Sequence, residues 1–303
     1  MSATSLEARL SEAMRCARTG QFGRAEQLAL TVLADAPIDG CVQARAANLL
    51  GGIAFEQGRL HEAEERFELV LRQGRLIRDG ELVARAANNL ASIAHMRGKP
   101  QLAASLYQGA LGVWRRLGHE AGVAQTCHNL ALLAREGGAH ERAAELAEEA
   151  VAAASRTSDV ALQSLVRVGR AEAALALSDF AAAHANVECA RRLARASGDW
   201  LGVADGRRAE ARVALAEGRP GAALRAALAG YHRARRLGAT HVATECAELA
   251  GQAAAQLRRH PNAERFYRLA HEGYLALGLP RGRSEPVPWL TALQPAGAAS
   301  AGG

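Results

Sequence analysis

Two periods run through the apolar and small positions of this chain. Within stretches of about sixteen residues, small side chains stand seven and three apart, as at Ala84, Ala91 and Ala94, the spacing of one buried stripe on a helix. Over the whole chain the pattern returns every forty residues without a gap. The blocks begin CVQARAANLLGGIAFEQGRLHEAEERFELVL at 41, ELVARAANNLASIAHMRGKPQLAASLYQGAL at 81 and AGVAQTCHNLALLAREGGAHERAAELAEEAV at 121. Weaker copies start at 161, 201 and 241, and residues 5–40 fit as a shortened first unit, so the chain predicts about seven units.

Each unit reads as a helical hairpin. Its eighteenth position is Gly58, Gly98, Gly138 or Gly218, replaced by Ser178 and Arg258 in two units, and such a glycine ends a helix in the left-handed conformation. Five residues later an alanine always follows (Ala63, Ala103, Ala143, Ala183, Ala223, Ala263), letting the second helix pack closely on the first. Phe67, Tyr107 and Tyr267 share one position on the second helices and Trp114 and Tyr274 another, and they are expected to fill the core.

The series Ala84, Asn89, Leu90, Ala91, Gly98, Ala103, Tyr107 resembles the tetratricopeptide repeat, and the resemblance covers roughly residues 5–280. The forty-residue period is similar to the extended variant found in bacterial regulators and in cargo and polarity adaptors. It implies an all-α fold, a right-handed α-solenoid whose first helices line a concave groove. The units expected are 5–40, 41–80, 81–120, 121–160, 161–200, 201–240 and 241–280, within a solenoid spanning 1–280. Arg170 and Glu210 replace the family's leucine, so units five and six are expected to pack differently. Pro280, Pro286 and Pro288 break the period; residues 281–294 could cap the last hairpin through Trp289, Leu290 and Leu293, and 295–303 should be disordered.

At about 100° per residue, positions 4, 7, 11 and 14 of the first helix gather on one side, and positions 5, 8, 12 and 15 lie roughly 120° away, on the face such a superhelix turns inward. Those inward residues are Arg45, Asn48, Gly52 and Phe55, then Arg85, Asn88, Ser92 and His95, then Gln125, His128, Leu132 and Arg135. The candidate partner-binding set is Arg45, Asn48, Phe55, Arg85, Asn88, Ser92, His95, Gln125, His128 and Arg135. A row of amides could pair with the main chain of an extended peptide, and arginines beside it could select carboxylates. Asn89 and Asn129, which precede the leucine, read as structural, whereas Asn88 reads as a groove residue. Units five to seven place Leu165, Val168, Glu172, Leu175, Asp205, Arg208, Arg212, Leu215, Glu245, Glu248, Gln252 and Ala255 at the same positions, a mixed pattern suited to an apolar anchor or to local repacking.

Composition narrows the function classes. The 49% hydrophobic share is mostly Ala and Leu, with 4% aromatics, which suits closely packed helices. Arginine supplies nearly all positive charge and Lys99 is the sole lysine, a codon bias that suggests a bacterial source. The net charge of +6 is interspersed with acids, so it points first to solvated helix faces. Cys16, Cys41, Cys127, Cys189 and Cys246 form no metal-binding spacing, and no signal peptide or membrane span appears, so a reduced, cytoplasmic protein is expected. HEAEE and HERAAE lack the second histidine of a zinc protease, and no phosphate loop is present. His95 and His128 are the nearest approach to a metal pair. No catalytic residue, metal or cofactor is expected, and the oligomeric state is undetermined.

The leading expectation is a non-enzymatic scaffold that binds a protein or peptide in its groove. The resemblance supplies an alternative, a regulatory or sensor module acting with a separate transcriptional or signalling partner, since a repeat that begins near residue 5 leaves no room for an attached DNA-binding motif. Nucleic-acid binding through arginine-rich second helices such as YHRARRLG, 231–238, ranks last.

Overall fold

The computed structural model describes residues 3–36 and 40–279, which form fourteen helices in seven hairpins. In order they are α1 (Ala3–Arg18), α2 (Phe22–Asp35), α3 (Cys41–Glu56), α4 (Leu60–Leu76), α5 (Gly80–Met96), α6 (Pro100–Leu117), α7 (Glu120–Glu136), α8 (His140–Ser155), α9 (Val160–Ala176), α10 (Phe180–Ala196), α11 (Trp200–Ala216), α12 (Pro220–Leu237), α13 (Thr240–Gln256) and α14 (His260–Ala276). The expected cap at Trp289–Leu293 lies outside the described residues. No helix among them is long and apolar enough to cross a membrane.

Local chemistry sets the ends. Asp79, Asp159, Asp179 and Asp199 each accept a backbone N–H at the start of α5, α9, α10 and α11, and Pro100, Pro220 and Pro261 sit in the first turn of α6, α12 and α14. The hairpin turn is left-handed in every unit. Ser178 and Arg258 adopt it at φ 59° and 55°, next to 80° for Gly58, so the hairpin imposes the conformation and glycine only fits it most easily.

Each first helix after α1 is packed between the second helix of its own hairpin and that of the preceding one. It therefore buries two stripes rather than the one expected from the sequence: Ala44, Ala84 and Ala124 on the first, Ala46, Ala86, Thr126 and Val166 on the second. Small residues accept the aromatic anchors, and a Cβ on Gly51 would stand 2.6 Å from the Phe67 ring. Successive first helices touch one another while second helices do not approach each other comparably, so the first helices follow the inner arc. Their mutual contact is more extensive from α7 to α13 than from α1 to α7.

Units five and six keep the regular stacking despite their missing leucine. Arg170 pairs with Glu148 of α8 at 2.6 Å, and Glu210 pairs with Arg191 of α10 at 3.2 Å and with Arg207 at 2.8 Å. Ion pairs to the preceding second helix thus occupy the place of the apolar contact.

The arc also meets itself, which the repeat pattern did not indicate. The α1–α2 and α3–α4 turns carry Gly20 and Gly58; a Cβ on Gly20 would overlap Leu237 at the end of α12, and one on Gly58 would stand 2.6 Å from Leu277 beyond α14. Cys16, Phe22 and Ile53 share an apolar cluster with Ala204, Ala239, Val242 and Cys246, and Thr240 Oγ1 donates to the Gln57 carbonyl at 3.4 Å. Units one and two are thereby seamed to units six and seven.

Candidate functional site

The inner wall of the arc is the candidate site, and its first half is held together by amides. Asn89 Nδ2 donates to Asn48 Oδ1 at 3.1 Å, joining α5 to α3. Asn88 Oδ1 accepts from Thr126 Oγ1 at 3.1 Å and from Asn129 Nδ2 at 3.4 Å, joining α5 to α7. The expected division between a structural Asn89 and a groove-facing Asn88 is corrected here: both tie neighbouring first helices, and Asn88 is only 7% exposed. A buried amide must be paired, and the adjacent helix supplies the partner.

The other sequence candidates around them also have internal partners. Arg45 reaches both carboxylate oxygens of Glu7 at 2.9 and 3.0 Å. Phe55 packs half-buried near Leu60, Met96, Leu277 and Tyr274 at the seam. Arg85 bonds Glu81 at 2.6 Å, Ser92 shares a 2.9 Å hydrogen bond with the Tyr107 hydroxyl, and buried His95 bonds Glu136 at 2.8 Å. Gln125 has a single long contact, 3.5 Å to Asn129. His128 lies so close to α9 that a Cβ on Gly169 would overlap its ring, and its Nδ1 is buried with no hydrogen-bond partner among the described residues. Burial and the neighbouring Arg208 and Arg135 push its pKa down despite Asp205 and Glu172. His95 and His128 are thus engaged separately.

From α7 to α13 charge replaces amide. Arg208 on α11 reaches Glu172 of α9 at 2.8 Å, Asp205 at 2.7 Å and Glu245 of α13 at 2.9 Å. Arg212 lies 3.5 Å from Glu172 and 4.0 Å from Glu245, and Arg135 of α7 lies 3.3 Å from Glu172. Burial alone would raise the Glu172 carboxyl, but Arg208, Arg212 and Arg135 hold it well below the usual carboxylate range. Glu245 is brought to about 2 against its own burial, chiefly by Arg208. Four consecutive first helices share this one network.

Residues 42–111 and 82–156 match the tetratricopeptide repeat family model. Over residues 42–156 the chain is built of tetratricopeptide repeats. The repeat continues beyond the matched residues, with the same hairpin in every unit. The Rap conjugation gene regulator of plasmid pLS20, solved in complex with the Phr* peptide, superposes with a TM-score of 0.73 over 90% of this chain and 74% of its own, at 11% identity. A Rap protein complexed with competence and sporulation factor gives 0.60 over 91% of this chain and 99% of its own, at 14% identity. A signal transduction ATPase with a tetratricopeptide repeat sensor, from Pyrococcus horikoshii, gives 0.59 at 12% identity over 89% of this chain and 42% of its own. At these identities the likeness is one of fold. No curated protein matches the sequence.

The ionic network stands at inward positions 5, 8, 12 and 15, of which position 8 carries Asn48 and Asn88 and position 5 carries Gln125 earlier in the chain. The signal was therefore present in the sequence, but arginine and glutamate on a helix read equally as solvated surface. Half-buried Leu132, Leu165, Leu175 and Leu215 stand beside the network on the same inward positions. Near the seam, Glu56 at the end of α3 has no hydrogen bond or ion pair among the described residues; burial, with Asp205 and Asp199 close by, pushes its carboxyl up to about 7.

Proposed function

We propose that this tetratricopeptide repeat protein is a non-catalytic interaction module that takes an extended peptide or partner segment against its inner wall, with α7, α9, α11 and α13 as the recognition surface. The observation that carries the reading is the charge network of Arg135, Glu172, Arg208, Arg212 and Glu245. Units two to four are joined by the neutral rungs Asn48–Asn89 and Asn88–Thr126 and by isolated pairs such as Arg45–Glu7 and His95–Glu136, so stacking alone does not require a shared network of this extent. Partly exposed members such as Arg212 and Glu245 can exchange an internal partner for a charged group on a ligand, and Leu165, Leu175 and Leu215 can take an apolar anchor. Of the sequence candidates, Gln125, His128 and Arg135 belong to this surface. Arg45, Asn48, Phe55, Arg85, Asn88, Ser92 and His95 serve mainly to hold the wall together.

The likeness to Rap structures solved with bound peptides supports this reading, and the pLS20 protein, a gene regulator matched over most of this chain, favours a regulatory module acting through a separate partner. Selection of a random peptide library on the immobilised full chain tests the proposal. Selected peptides should lose at least tenfold in affinity against an Arg212→Gln, Gln125→Ala double variant and stay within twofold against Asn48→Ala. Failure to select any binder, or equal binding to the double variant, overturns it.

A further inference from the structure

Most arginines of the chain face a carboxylate, including Arg24, Arg45, Arg59, Arg97, Arg115, Arg142 and Arg156. Scattered exceptions such as Arg75, Arg116 and Arg265 occur, and one region concentrates them. Helix α12 contains no acidic residue, and its Arg225, Arg233, Arg235 and Arg236 are exposed, as is His232. On α10, Arg192 and Arg195 are exposed as well, and the nearest polar contact of Arg192 is the Cys189 sulfur at 3.9 Å. None of these six arginines has a carboxylate within ion-pair distance among the described residues. Between the two helices, at the start of α11, Trp200 is 42% exposed with the Arg233 guanidinium 4.8 Å above its ring. Arg235 lies 5.9 Å over Tyr231.

Favourable interaction with helix C-termini accounts for part of this, since Arg195, Arg235 and Arg236 stand in last turns. It leaves Arg192 and Arg225 without a reason, and Arg233 with only the Trp200 ring. We infer that the outer face of units five and six, formed by α10, α12 and Trp200, binds single-stranded nucleic acid.

The chemistry selects this occupant. Six unpaired arginines, against Glu188 as the one acid of α10 and none on α12, make a predominantly positive field that calls for a polyanion. Arg192 with Arg195, and Arg233 with Arg236, are spaced i,i+3, which sets each pair's Cβ atoms about 5–6 Å apart along its helix, suited to consecutive phosphates. Planar guanidinium groups match phosphate oxygens, and the exposed Trp200 offers a stacking face that only unpaired bases can use. A second copy of the chain is a poorer fit, because the acidic helix α8 already has Glu145, Glu148 and Glu149 in ion pairs. This surface lies on the opposite side of the hairpins from the inner wall, so its test is independent of peptide binding there.

The test is fluorescence anisotropy of a labelled oligo-dT 20-mer titrated with the full chain between 50 and 300 mM NaCl. Affinity should fall steeply and linearly on log–log axes as salt rises. The Arg233→Ala, Arg235→Ala, Arg236→Ala variant should bind at least tenfold more weakly. A control losing the same charge elsewhere, Arg75→Ala, Arg116→Ala, Arg265→Ala, should stay within about threefold, and circular dichroism should show all variants folded. Bound oligonucleotide should quench tryptophan emission in the wild type and much less in Trp200→Ala. No binding at 50 mM NaCl, equal losses in the two triple variants, equal affinity for a duplex 20-mer, or equal competition by polyglutamate or phosphatidylserine vesicles would each overturn the assignment.

Discussion

In units two to four, inward positions of the first helices carry amides, hydroxyls and arginines that each serve one neighbour; in units four to seven they carry charges that serve several at once. The rungs Asn48–Asn89 and Asn88–Thr126 join two helices each. Arg208 alone reaches α9 and α13 as well as Asp205 on its own helix. The difference follows the curvature: where first helices approach more closely, from α7 to α13, long side chains from alternate units converge and each guanidinium must satisfy several carboxylates. Local pairing allows a unit to shift without upsetting the next, whereas a shared network couples four units.

The widest separation between the halves should come from Arg208→Ala. It leaves Glu172, which is 6% exposed, with Asp205 and Glu245 short of their central cation, and removing one partner from a buried ionic set costs about 3–5 kcal/mol. Hydrogen exchange should show protection falling together in α9, α11 and α13 while α3 and α5 are nearly unchanged. Loss confined to α11 would show that the network does not couple units.

Acidity should divide the halves in a second way. The Glu245 carboxyl is depressed from the ordinary 4.5 to about 2 in the fold, so its contribution is complete above 4.5 and disappears as pH falls toward 2. Glu172 is shifted in the same direction. Glu56 is shifted oppositely: raised to about 7 at the seam, it disfavours the closed arrangement progressively as pH rises from 4.5 to 7. Lowering pH from 8 to 5 should therefore tighten the seam, seen as slower exchange in the α3–α4 turn and at the start of α13, before the inner network fails at lower pH. Glu56→Gln should abolish the first change and leave the second, and an unchanged profile in that variant would remove Glu56 from the account.

The fold was legible because it repeats. Gly58, Ala63 and Phe67 recur with the period, and each position has one structural meaning: turn, close packing or anchor. The site was harder to read because a helical period fixes direction but not distance. Positions 5, 8, 12 and 15 bring Asn48, Asn88, Glu172, Arg208 and Glu245 to where first helices meet, yet the closeness of those helices, which buries Asn88 and gathers Arg208 with Glu172, depends on the summed curvature of all units. The seam, formed by Leu237 and Leu277 against turns of the first two units, lay further still from any local pattern. Asn88→Ala sharpens the distinction. It should cost about 1–2 kcal/mol by leaving Thr126 and Asn129 without their acceptor, more than Asn48→Ala, whose half-buried amide loses one bond. Equal effects in denaturant melts would show that Asn88 burial has no energetic weight.

The smallest effect concerns the turns. Units one, two, three, four and six place glycine in the left-handed turn, whereas units five and seven hold Ser178 at φ 59° and Arg258 at 55°. A side chain in this region costs about 1–2 kcal/mol, while glycine in its place loses about 0.4–1 kcal/mol through the freer unfolded chain. Ser178→Gly should therefore stabilise the protein by about 0.5 kcal/mol. Gly138→Ser, the same exchange in reverse at an equivalent turn with open space around it, should destabilise by a similar amount. Opposite shifts in the denaturation midpoint would show that the turn is equivalent in both halves, and that the contrast between them resides in the inner wall. A gain at Ser178 without a loss at Gly138 would instead place extra strain in unit five, beside the tightest part of the arc.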